Sequence, residues 1–232
     1  SREWVRSTLV NSFQEFRTHA RILNVQNPYP ISYWAWGEAF NKLNVRAVFG
    51  SGTGNMFPTI HIGIIPIRAN DFKIWTQWAS GTNYPTCALY TISFHELSHQ
   101  SHFKLAPITM GLSSTLLRES WASYVEFKVM DRIFPIRADD MQDRRSVDAN
   151  VQDGYTAFFV DLEDNSNHRA GTTTNPLEFP DDRVSGYSLS QLQVVLSNST
   201  RVNGIGTRLT NNYFNPTEAN LDSLIAYYDR IQ

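Results

Sequence analysis

The stretch His95-Glu96-Leu97-Ser98-His99 decides which fold and which chemistry we expect of this chain. Side chains four positions apart lie on the same face of an α-helix, so His95 and His99 can approach a single metal ion. Glu96 follows one step around the helix, beside the position at which that ion would bind water. The five residues therefore favour an active-site helix of a zinc hydrolase.

The residues around this motif predict the helix itself. Apolar residues recur at helical spacing within residues 86–103 and leave both histidines on other faces. These apolar residues are Cys87, Tyr90, Phe94 and Leu97. Pro85 suits the first turn of such a helix, and Thr82 or Asn83 is a nearby candidate for its cap.

A third metal ligand is expected from a second helix. Catalytic zinc generally has three protein ligands and a water molecule, and two histidines with one glutamate form an established set. Glu119 lies in a helical pattern that Ser113 or Ser114 can cap and that is expected to end before Pro135. The sequence thus predicts that Glu119 completes the site.

The segments HELSHQ and LRESWASYVEF together resemble the two zinc-binding segments of gluzincin metallopeptidases, especially the aminopeptidase N family. Nineteen residues separate His99 from Glu119, as in thermolysin-like members, and ESWA stands from position 119 where EGFA is usual. The resemblance implies a Zn²⁺ cofactor held by His95, His99 and Glu119. It also implies Glu96 as the general base and a zincin-like α+β fold.

The resemblance covers only residues 86–130, and this bears on the substrate. The aminopeptidases carry a Gly-x-Met-Glu-Asn strand that holds the free amine of the substrate. The nearest text here, residues 54–57, has no acidic residue. We therefore expect a peptide or protein substrate, with an endopeptidase and a hydrolase of narrow specificity both open. A non-peptidase amidase or esterase, and a zinc-stabilised binding or scaffold domain without turnover, are the alternatives.

A second catalytic residue is expected to stabilise the oxyanion. Tyr187 lies sixty-eight residues after Glu119, which fits the distance at which related gluzincins place a Tyr or His for this role. Tyr155 and His168 are alternatives, and Tyr187 can equally be a packed core residue.

Three further polar residues surround the predicted ligands. His102 shares the stripe of the two motif histidines, but a helix rises about 1.5 Å per residue, which puts its ring roughly a turn away from the ion. A pocket-lining or outer role is the expectation for His102. Ser123 and Glu126, on the helix of Glu119, are candidates for orienting the ligands from outside, and each can equally be a solvated or hydrogen-bonded helix residue.

Composition restricts the class of protein. With 232 residues, 41% apolar and 18% charged, the chain can bury a full core as one domain over residues 1–232. We expect an α+β part at about 1–110 and a mainly helical part at about 111–232, with the metal between them. A net charge of −2 argues against a nucleic acid partner.

The distribution of apolar residues does not predict a membrane span. No apolar run reaches the length of a membrane span, and the first residues do not resemble a signal peptide. Low lysine content with many Asn, Thr, Ser, Tyr and Trp residues resembles exported bacterial domains, so we expect an extracytoplasmic location.

Five other elements are predicted outside the zinc segments. Residues 3–23 have the apolar spacing of an amphipathic helix, and residues 45–49 and 59–66 favour strands. Ser188 with Gln191 predicts a capping box, and Asn215, Pro216 and Glu218 predict the start of a last helix.

Overall fold

A computed structural model describes residues 2–29, 44–51, 59–62, 65–68, 71–78, 80–134, 155–167 and 180–230. Within these ranges the chain is mostly helical, with two small sheets, which agrees with an α+β class. The helices are α1 (Arg2–Ile22), α2 (Thr86–Leu105), α3 (Pro107–Leu112), α4 (Thr115–Ile133), α5 (Phe158–Glu163), α6 (Leu189–Leu196), α7 (Val202–Asn212) and α8 (Leu221–Asp229). The strands are β1 (Asn44–Ser51), β2 (Thr59–Ile62), β3 (Ile65–Arg68) and β4 (Asp71–Gln77).

Helix α1 forms where the apolar spacing predicts it. Its inward residues are fully or almost fully buried, and its other faces are solvent-exposed or polar. The buried apolar residues are Val5, Leu9, Phe13, Phe16 and Ala20. This stripe packs on the motif helix α2, where the rings of Phe16 and Phe94 lie 5.7 Å apart.

The strands form two separate pairs. Strand β1 pairs with β4 in parallel, with Asn44 opposite Asp71, and β2 pairs with β3 antiparallel. The prediction of one strand over residues 59–66 is therefore wrong, because this segment contributes to two short strands that pair with each other. Alternating apolar residues do not reveal that one strand ends at Ile62 and the next begins at Ile65.

Helices α2 and α4 pack against each other and carry the motif residues. Helix α4 begins after Ser114, whose hydroxyl accepts a hydrogen bond from the Leu117 amide at 3.3 Å, and it ends at Ile133, as predicted. Helix α2 begins after Pro85 itself, and no side chain caps it by a hydrogen bond. The predicted cap at Thr82 or Asn83 is therefore wrong, because Pro85 occupies the cap position in an extended conformation.

The last helices form the rest of the core. The capping box of Ser188 and Gln191 is present at the start of α6, and α8 buries the predicted apolar face. A short 3-10 turn at Glu218–Asn220 precedes α8. The Tyr228 hydroxyl of α8 donates a hydrogen bond of 2.5 Å to Asp161 of α5, so the two helices are joined through the core. None of the described helices is long and apolar enough to cross a membrane.

Candidate metal centre

Helix α2 presents the two motif histidines side by side. The side chains of His95 and His99 are almost completely buried, and their ring centroids lie 4.8 Å apart at an interplanar angle of 88°. One helical turn separates the two positions, which is why both rings emerge on one face of α2.

Helix α4 brings the third group to the same point. Glu119 Oε2 lies 3.2 Å from His95 Nε2 and 3.1 Å from His99 Nε2. The three ligand atoms all lie within 4.8 Å of one another. His95, His99 and Glu119 can therefore hold a metal ion. Among the described residues they are the one cluster of three such side chains.

The donor set fits a zinc ion. Imidazole nitrogen and carboxylate oxygen are both established zinc ligands, and two ligands of a tetrahedral ion lie roughly 3.3 Å apart when each bond is about 2.0 to 2.1 Å. The two contacts between Glu119 and the histidines, at 3.1 and 3.2 Å, are close to that separation. A small cation could therefore replace these two hydrogen bonds, while the ligand atoms that lie up to 4.8 Å apart would move closer together around it.

A second carboxylate holds His95 from its other side. Glu126, two helical turns after Glu119 on α4, places Oε2 3.1 Å from Nδ1 of His95, and it is almost completely buried. A carboxylate can only accept, so Nδ1–H donates to Glu126 and leaves Nε2 directed at Glu119. Carboxylates in this outer position fix the tautomer and the orientation of a metal-binding histidine.

The pKa values of the group follow from these contacts. Burial disfavours the charged form of His95, but hydrogen bonds to Glu119 and Glu126 outweigh it and raise its pKa to about 9. Burial also opposes charge on Glu119, yet hydrogen bonds from His95 and His99 hold its pKa well below the usual range. Without metal, the centre is thus a buried ion pair, and a cation must displace the proton on His95 Nε2.

Glu96 lies beside this group. Its side chain is almost completely buried, and its charge contributes to the raised pKa of His95. The position next to His95 on α2 turns it about 100° from that histidine, since an α-helix has 3.6 residues per turn.

The three candidates for the second catalytic residue differ in position. The ring of Tyr155 lies 5.4 Å from the ring of His95, so this tyrosine borders the centre. Tyr187 is a core residue with 1% exposure, and within the described ranges no hydrogen bond or ring contact joins it to the three ligand groups. Burial, and then the charge of Glu218, raises the pKa of Tyr187. His168 lies outside the described residues.

The remaining predicted residues lie near the ligand helices. His102 is fully buried, and its ring is not among the three groups that converge. Ser123 is also fully buried on α4. Residues 54–57 lie outside the described part of the chain. Their comparison with the exopeptidase strand therefore rests on the sequence alone.

The chain was compared with known proteins. No protein-family model matches it, and no significant match was found among curated proteins or solved structures.

Proposed function

We propose that this protein is a zinc-dependent metallohydrolase of zincin-like fold that cleaves peptide bonds. The observation that carries the proposal is the approach of Glu119 to both motif histidines from a separate helix. A chance His-Glu-x-x-His match would leave the third ligand position to any residue or to none. Here Glu119, which has the sequence spacing of the gluzincin ligand, contacts both imidazole rings. Glu126 forms a hydrogen bond with one of them, His95.

The chemistry divides between the metal and Glu96. His95, His99 and Glu119 would hold the ion, and zinc bound there would supply a nucleophile at neutral pH by lowering the pKa of a bound water. Glu96 would serve as the general base that takes a proton from the attacking water and would pass it to the leaving amine. His95, His99 and Glu119 do not take part in proton transfer, since their role is to hold the ion in place.

Metal content tests the ligand assignment. We expect purified protein to bind close to one equivalent of zinc, and Glu119→Ala to lose most of it. Glu15→Ala on α1, whose carboxylate is about half exposed, is the matched control and should keep full zinc content. Equal zinc content in all three proteins would refute the site.

Turnover tests the hydrolase. A library of internally quenched peptides, together with ester and amide substrates, should identify a cleaved substrate class. Glu96→Gln should then abolish turnover while zinc content stays at the wild-type level. If zinc stabilises the fold but the library remains uncleaved by wild-type protein, the binding or scaffold function is the correct one.

A further inference from the structure

Tyr155 is an exposed aromatic residue next to the metal centre. Its ring centroid lies 5.4 Å from that of His95, with the two planes tilted by 37°. Tyr155 as a residue is 37% exposed, whereas His95 is almost completely buried. Tyr155 is therefore an exposed residue beside a predicted metal ligand, where an arriving molecule can meet it.

A pair of buried hydroxyl groups determines where Tyr155 lies. Ser120 Oγ and Thr156 Oγ1 are 2.7 Å apart, and the Thr156 amide donates to Ser120 Oγ at 3.1 Å. Thr156 Oγ1 also accepts a bond from the Phe158 amide at 3.3 Å. Both hydroxyl-bearing residues are almost completely buried, so water does not compete for these bonds. We call this arrangement the Ser120–Thr156 clamp.

The clamp connects two parts of the centre that are distant in sequence. Ser120 directly follows Glu119 on α4, and Thr156 directly follows Tyr155. The core secures the same connection, since the rings of Trp121 and Phe159 lie 5.2 Å apart. The backbone next to Tyr155 is thus attached to the helix that carries Glu119.

We propose that Tyr155 is a specificity-determining residue that contacts molecules bound at the metal, and that Ser120 and Thr156 position it through the clamp. The inference rests on the proposed zinc site. The class of ligand follows from the exposed ring: an aromatic group placed next to the metal-binding atoms can pack on Tyr155. Aromatic pairs of this kind contribute roughly 3- to 10-fold in affinity beyond the area that they bury.

Two hydroxamates that differ only in an aromatic group test this contact. Acetohydroxamate and benzohydroxamate bind a metal through the same oxygens, and cobalt-substituted protein reports their binding in its visible absorption. We expect Tyr155→Ala to reduce the preference for benzohydroxamate over acetohydroxamate about 3- to 10-fold. Tyr155→Phe should keep the preference, because it keeps the ring. An unchanged preference in Tyr155→Ala overturns the proposal.

Variants of the clamp test the positioning role. Thr156→Val removes the hydroxyl without changing the shape of the side chain, and we expect it to lower the preference as Tyr155→Ala does. Thr156→Ser keeps the hydroxyl and should therefore keep the wild-type preference for benzohydroxamate. Ser120→Ala should match Thr156→Val, while Ser12→Ala, which removes an equally buried serine hydroxyl from α1, should leave the preference unchanged.

Cobalt content separates the two possible failures. A wild-type protein that binds no cobalt refutes the metal site, and the role of Tyr155 with it. Full cobalt content with a preference that is insensitive to Tyr155→Ala refutes only the inference made here. If Thr156→Val does not fold, Tyr155→Ala still decides the contact, since it alters a side chain that is partly exposed.

Discussion

Glu126 and His95 form a buried pair in which the carboxylate lies 3.1 Å from Nδ1 of the imidazole. The other nitrogen of the same ring, Nε2, lies 3.2 Å from Glu119. His95 is therefore held between an outer carboxylate and the group that can bind a metal. This arrangement leads to the first two predictions.

Glu126→Gln should weaken zinc binding about 10- to 100-fold without abolishing it, because the amide no longer provides the charge that orients His95 and increases its basicity. Competition with a chromogenic chelator measures the change. Glu15→Gln, on the exposed side of α1, is the control for loss of a carboxylate. An affinity equal to that of wild-type protein would show that Glu126 has no part in the centre.

The metal-free protein should have a characteristic pH dependence. Because the pKa of His95 is raised, protonated His95 stabilises the folded protein. This stabilisation is fully present below pH 6.5, the ordinary pKa of histidine, and is lost as the pH rises through about 9. Glu119 has a lowered pKa, so its contribution is present above its ordinary value of 4.5 and is lost as the pH falls. The stability of wild-type protein relative to Glu119→Gln should therefore be highest between pH 4.5 and 6.5.

Thermal melts of both proteins in chelator, from acid to mildly alkaline pH, measure this difference. A difference in melting temperature that does not vary with pH would mean that the ion pair does not form without metal.

Tyr228→Phe should destabilise the fold by roughly 1 to 3 kcal/mol, because it deprives a buried carboxylate of a donor. The hydroxyl of Tyr228 lies 2.5 Å from Asp161, and both side chains are almost completely buried. Urea unfolding measures the change. Tyr227→Phe, at the neighbouring and less buried position, should have a smaller effect. Equal effects of the two changes would contradict the assignment.

Gly206→Ala should destabilise the protein although alanine favours helices. A Cβ atom at position 206 would lie 2.7 Å from Cγ1 of Ile225 on α8, which is too close for the two helices to keep their packing. Gly204 lies in the same helix, and a Cβ there would meet Ser199 at an ordinary 3.5 Å. Gly204→Ala should therefore stabilise the protein by up to about 1 kcal/mol.

Urea unfolding compares the two glycine variants. Adding Ile225→Ala to Gly206→Ala removes the side-chain atoms that the new Cβ would meet, so the double variant should lose less stability than the sum of the two single losses. Stabilisation by both single changes would show that α7 and α8 lie farther apart than described.

Local sequence patterns determined much of this protein. The apolar spacing of α1 and α8, the cap at Ser114 and the capping box at Ser188 depend on neighbours within a few positions, so they could be predicted. The motif histidines share one face of α2 for the same reason. Helices α3, α5 and α7 were not predicted, because two are only six residues long and α7 carries two glycines that weaken its pattern.

Only the tertiary structure decided which distant groups meet. Spacing from Glu119 favoured Tyr187, but that tyrosine is buried in the core, whereas Tyr155 borders His95. The difference arises because the Ser120–Thr156 clamp depends on a contact across thirty-six positions, which no local pattern records. Glu126 was a candidate for an outer role from its helix alone. Its contact with His95 could not be predicted, because only the packing of α4 on α2 determines which imidazole nitrogen faces which carboxylate.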